Sequence, residues 1–132
     1  MPLTQDGRDA IARMITGNLT TLFDNANAHL GVGDGTTVFS TSQSDLQGSN
    51  KVRVPVDSGY PEIDPEGAGD NNKIRFQATF DSTTGNFAWE EWGVANALTG
   101  GELLNRLVDS QGTKASGSTW VFEVDVTIKI GS

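Results

Sequence analysis

Residues 118–130 admit one secondary structure. Trp120, Phe122, Val124, Val126, Ile128 and Ile130 recur at every second position, with Val121, Glu123, Asp125, Thr127 and Lys129 between them. Period-two alternation describes a strand with one apolar and one wet face; a helix would scatter the same side chains around its circumference. Burying the six apolar side chains is worth ~1.5–3 kcal/mol each, an upper bound of roughly 9–18 kcal/mol, against ~1–2 kcal/mol of backbone entropy per ordered residue. Such a strand cannot stand alone and needs a facing layer.

Other segments offer one. Ile74, Phe76, Ala78 and Phe80 alternate with Lys73, Arg75, Gln77 and Thr79, a second half-wet strand. Phe87 and Trp89 open a strand in one phase and Trp92 and Val94 continue it in the other, which predicts a β-bulge at Glu90-Glu91. Gly100-Gly101 turns the chain into a segment at 103–108, and residues 112–117 turn it again. Lys51-Val52-Arg53-Val54-Pro55-Val56 alternates charged and apolar, and Pro55, which donates no ladder hydrogen bond, places it at a sheet edge.

The first half is less regular. Thr4 is a candidate N-cap with Leu3 as its staple, Ile11, Met14 and Ile15 make one helical stripe, and Gly17 ends it, so residues 5–16 are expected to be helical. The apolar 19–23 segment is too short to assign, and Asp24-Asn25-Ala26-Asn27 reads as a turn. Gly33-Asp34-Gly35 between His29-Leu30-Gly31-Val32 and Thr37-Val38-Phe39 predicts a hairpin or bulged connection, after which Ser42 would cap a helical turn ending at Gly48. Residues 57–72, with two prolines, three glycines and a run of acids, read as a long loop.

Strands not interleaved with long helices exclude a parallel α/β sheet. The expected fold is mostly β, an antiparallel two-sheet β-sandwich with one N-terminal α-helix covering an end or an open edge. Residues 1–28 would hold the helix and a connecting segment, and 29–132 the sandwich, in one compact domain. Its core is thin: Leu, Ile, Val and Phe make 31 of 132 residues, and without cysteine no disulfide supports it. Nine basic against 17 acidic residues give a net charge of -8, which repels phosphate backbones and anionic lipid, so neither nucleic acid nor membrane is an expected partner. Asp6, Arg8, Asp9 and Arg13 interrupt any apolar leader near the start.

Residues that could carry chemistry are few. His29 is the lone imidazole, no G-x-S-x-G marks a nucleophile for it, and a turn or strand-start role fits it better. Gly31, Gly33 and Gly35 are followed by strand-like residues where a phosphate-binding helix would have to begin, so a tight turn is the reading. Asp57, Glu62, Asp64, Glu66 and Asp70 are weak candidates for a calcium ion, but their spacing is not that of an EF-hand and a solvated loop explains them. Glu90 and Glu91 are adjacent and in a regular strand would face opposite ways, which argues against a glycosidase pair. Trp89 and Trp120 lie in phase with core residues; Trp92 opens the shifted phase and is a candidate surface anchor. No cofactor is expected.

Several stretches taken in succession resemble tailed-phage structural proteins of the tail-collar or fibre-attachment kind. They are 31–37 (GVGDGTT) followed by Asp45-Leu46-Gln47-Gly48, then 89–97 (WEEWGVANA), 101–106 (GELLNR), and Gly112-Thr113-Lys114 leading to Ser118-Thr119-Trp120. The resemblance runs from His29 onward and implies a virion component, made in the host cytoplasm, with no catalytic residues. Collar-type fibres continue into a long shaft whereas this chain stops at Ser132, so a capsid-surface decoration or minor capsid protein is the alternative, and a carbohydrate-binding module a second. Expected partners are copies of itself, in a trimer or symmetric ring, and other virion proteins. The long last strand is expected to project beyond its sheet toward a neighbour, which makes Val121, Glu123, Asp125, Thr127 and Lys129, with Trp92, the interface candidates.

Overall fold

The computed structural model describes residues 2–18 and 21–129. One helix, α1 (Gln5–Thr16), precedes β1 (His29–Gly33), β2 (Lys51–Pro55), β3 (Glu62–Ile63), β4 (Lys73–Phe80), β5 (Ala88–Ala95), β6 (Leu107–Thr113) and β7 (Trp120–Thr127). The strands form two antiparallel sheets, ordered β2-β1-β5-β6 and β3-β4-β7. This is the expected β-sandwich with an N-terminal helix.

Alternation decides which side chains meet between the sheets. Leu30, Val32 and Val94 point inward from one sheet and Phe76, Ala78, Phe80 and Val124 from the other, all buried in a common cluster with Trp89 and Trp92. Trp89 and Trp92 both reach Phe122 although three positions separate them, because the β5–β6 ladder shifts register between Trp89 and Glu91, where the bulge was expected. Pro55 ends β2, which is an edge strand.

The helix keeps its sequence-derived bounds. The Thr4 hydroxyl accepts the Gly7 amide, and Gly17, at φ 73°, turns the chain so that the Gly17 and Asn18 amides close on the Met14 and Arg13 carbonyls. Residues 2–4 run beside 104–106, with Thr4 N–H donating to the Leu104 carbonyl (3.1 Å) and Arg106 N–H to that of Pro2 (3.3 Å). The helix thus starts from the flank of the four-stranded sheet, and a side chain at Gly7 would overlap the Leu104 backbone.

Four expectations need correction. The hairpin after β1 does not form: β1 pairs with β2 and β5, and residues 34–50 leave the ladder as a loop. No helical turn follows Ser42, because the amides of Gln47 and Gly48 are drawn to a side chain of β5 instead of closing a turn. The 57–72 loop contributes the short β3, whose Glu62 and Ile63 pair with Arg75 and Ile74 of β4. The last strand spans Trp120–Thr127 rather than 118–130: β4 ends at Lys73 opposite Thr127, so Ile128 lies beyond the partner strand and is 64% exposed. Ile130, expected on the inner face, and Leu19 of the unassigned apolar segment lie outside the described residues.

Candidate interaction surface

The two sheets are covered unequally on their outer faces. On the four-stranded sheet the outward positions include Gly31, Gly33 and Gly93, and over this bare backbone lies the 34–50 loop. Its anchor is Glu91. One carboxylate oxygen accepts the amides of Gly35 (2.9 Å) and Gly48 (2.6 Å), and the other accepts the Gln47 amide (2.8 Å) and Arg106 Nε (2.7 Å). Neither side chain of the Glu91–Arg106 pair is exposed. Arg106 Nη1 also donates to the Thr37 carbonyl (2.9 Å) and to Gln43 (3.2 Å), so both ends of the loop are tied. A Cβ at Gly35 or Gly48 would collide with the carboxylate of Glu91 or of Asp34, which is why these positions are glycine. Leu46 packs beneath the loop over Gly31.

The clamp draws on four stretches of the sequence, 31–37, 45–48, 89–97 and 101–106. Gly35, Gln47, Gly48, Glu91 and Arg106 come from these separate runs and meet at one carboxylate. In the sequence Glu91 reads as part of a bulge and as an acid beside Glu90, and Arg106 carries no chemical signal of its own. Four donors occupy Glu91, whereas Glu90 contacts Ser110 at 3.5 Å. No local signal marks the clamp: Glu91 stands opposite Gly33 only through the β1–β5 register.

The outer face of the three-stranded sheet carries a ladder of charges. Arg75 on β4 grips Asp125 on β7 with two hydrogen bonds (2.8 and 3.0 Å) and lies 3.5 Å from Glu123 and 3.6 Å from Glu66. The Arg75 hydrogen bond holds the Asp125 carboxyl below its ordinary range despite partial burial, and Arg75 is raised in turn. Lys73 pairs with Glu66 at 3.0 Å, which raises it.

The acids of the 57–72 loop do not converge. Asp57 accepts from Gln77 and Thr79, Asp64 accepts the amides of Ala68, Gly69 and Asp70, Glu66 faces Lys73 and Arg75, and Glu62 is exposed on β3. Among the described residues no three acids or histidines gather to hold a metal ion. His29 opens β1, with Nδ1 2.8 Å from the Asn27 carbonyl.

The interface candidates separate into two groups. Trp92 is 8% exposed and packs edge-on against Phe122 with ring centres 5.6 Å apart, so the surface anchor expected there is a core residue: the bulge turns it inward. Val121 (58% exposed), Glu123, Asp125, Thr127 and Lys129 all lie at the surface. β7 is an end strand of its sheet and β6 an end strand of the other, and between them opens a cleft of about 340 Å³ lined by Trp89, Gln111, Thr119, Trp120, Val121 and Phe122. Trp120 and Phe122 stay half-buried at this rim, edge-on to Trp89 at 4.9 and 5.5 Å. No protein-family model matches the chain, and no curated protein matches it.

Proposed function

We propose that this chain is a non-catalytic structural module of a phage particle, tail-associated in the manner of collar and fibre-attachment proteins, that associates with copies of itself and with other virion proteins. The observation that carries the reading is the open side of the sandwich. Among the described residues no strand pairs with the outer edges of β6 and β7, which flank half-buried aromatic rings there, and Val121 and Ile128 stand exposed on or just past β7. An uncovered edge with apolar side chains is a template for strand pairing. The clamp under the phage-like stretches supports the same reading, since it holds a loop rigidly on the outside of one sheet.

Mass spectrometry of purified particles, followed by assignment of the chain in a virion density map, tests the proposal. The expected result is a fixed copy number per particle at the tail. Placement on the head surface would turn the reading into capsid decoration, and absence from particles would overturn both. A carbohydrate-binding module is the second reading, favoured by one observation: Trp120 is half-exposed in a cleft beside Gln111 and Thr119, an aromatic platform next to hydrogen-bonding side chains. Glycan binding abolished by Trp120→Ala with the fold retained would select it.

A further inference from the structure

We infer that β7 pairs edge to edge with β7 of a second copy, antiparallel about a two-fold axis through Val126, so that Glu123 of each copy faces Lys129 of the other. The inference deepens the self-association proposed above and rests on that part of it.

Backbone phase fixes which groups are free. Ile128 N–H donates to the Asn72 carbonyl (2.9 Å), and the Ile128 carbonyl accepts from the Asn72 side chain (2.8 Å). Even-numbered residues of this strand therefore turn their backbone groups toward β4. By alternation the N–H and C=O of Val121, Glu123, Asp125, Thr127 and Lys129 point to the open side, where no strand lies among the described residues. An antiparallel partner must set odd residues opposite odd residues to use them.

Charge then selects among the allowed registers. Centring on Glu123 or Asp125 sets that carboxylate against its own copy, and centring on Val124 sets Glu123 against Asp125 twice; like charges directly opposite are destabilising. Centring on Val126 sets Glu123 opposite Lys129 and Asp125 opposite Thr127. Asp125 is already neutralised by Arg75, and Lys129 has no ion-pair partner among the described residues. The same register lays Ile128, exposed past the end of β4, against Val124 of the other copy on the inner face. Centring on Thr127 also gives Lys129 a carboxylate, but that of Asp125, which Arg75 already neutralises, and leaves Glu123 without a cation across the seam; centring on Phe122 avoids direct like-charge pairs but forms no opposite-charge pair and leaves Ile128 bare.

The test uses the full chain. Sedimentation equilibrium at micromolar concentration is expected to show a dimer, and Glu123→Lys, which puts lysine opposite lysine at both symmetric sites, to weaken it about tenfold or more. The charge swap Glu123→Lys with Lys129→Glu is expected to restore it. Because the chain has no other cysteine, Val126→Cys should oxidise to a disulfide-linked dimer: the two Val126 residues form a non-hydrogen-bonded pair about 4.5 Å apart at Cα, within the ~4.4–6.8 Å a disulfide spans. Val124→Cys should not crosslink. A monomer or trimer, crosslinking of Val124→Cys in preference to Val126→Cys, or a charge swap that fails to rescue would each overturn the pairing. A solution dimer missing from purified particles would instead remove the virion reading and leave the pairing intact.

Discussion

Replacing Glu91 with alanine tests whether one carboxylate holds the 34–50 loop to its sheet. The substitution strands the amides of Gly35, Gln47 and Gly48 and leaves the buried guanidinium of Arg106 without a counter-ion. Breaking a buried ion pair from one side costs about 3–5 kcal/mol, and each buried amide left without an acceptor adds about 1–3 kcal/mol. Taken together these would consume most of the ~5–15 kcal/mol by which a domain is stable. The molecule has a cheaper response, which is to lift the loop and let water reach the donors. That gives up the burial of Leu46, ~1.5–3 kcal/mol, with the Arg106 bonds to Thr37 and Gln43. The expected net loss is therefore about 3–5 kcal/mol in urea denaturation followed by tryptophan fluorescence. Amide exchange should accelerate most at Gly35, Gln47 and Gly48. Arg106→Ala should be milder at those amides, because it leaves the carboxylate with its three backbone donors. A Glu91→Ala protein within about 1 kcal/mol of the parent, with these amides still protected, would refute the reasoning.

Acid should destabilise the chain as the pH falls into and through the ordinary carboxylate range. Asp125 is held low by Arg75, and Asp45 is held low because its bonds from Lys51 and Leu46 and the nearby Arg53 outweigh the opposing effect of its burial. A depressed folded-state value contributes stability that is full well above pH 3.8 and is lost as pH falls from there toward that value, so denaturation midpoints should drop between pH 5 and pH 3 and Arg75→Gln should flatten the drop. Thr4→Ala removes a hydroxyl that accepts from Gly7 and donates to the Leu103 carbonyl, and should cost about 1–2 kcal/mol in thermal or urea unfolding. Lys114 is buried, with Nζ 2.6 Å from the Asp81 carbonyl and 2.7 Å from Asn86. Lys114→Ala should leave both acceptors unpaired and a void, for a loss of about 2–4 kcal/mol in the same assay.

Where one periodicity dominates, the sequence was legible. The alternation in β4 and β7, the phase slip at Glu90-Glu91 and the Thr4 and Gly17 caps each involve neighbours within a few residues, and each stands where local reasoning placed it. The clamp was not legible, because its donors lie 15 to 56 residues from Glu91 and no local rule links an amide at Gly35 to an acid on β5. The failed hairpin has the same origin: Gly33-Asp34-Gly35 has turn chemistry, but the distant carboxylate outcompetes a ladder for its amide. At Trp92 the phase slip itself points inward, and the surface role expected of it rested only on its being the first residue after the slip; the register shift places it in the core. At the candidate surface, the exposed row of β7 followed from alternation. The free edge did not, since strand order is a property of both sheets.

The unequal covering of the two sheets gives the module a front and a back. One outer face is upholstered by a loop from which the apolar side chain of Val38 stands out at 83% exposure, and the opposite outer face is a lattice of paired charges. Any layer built from such units in a common orientation shows one chemistry to the outside and another to its support. A peptide grafted near Val38 would be shown by every unit from the same side.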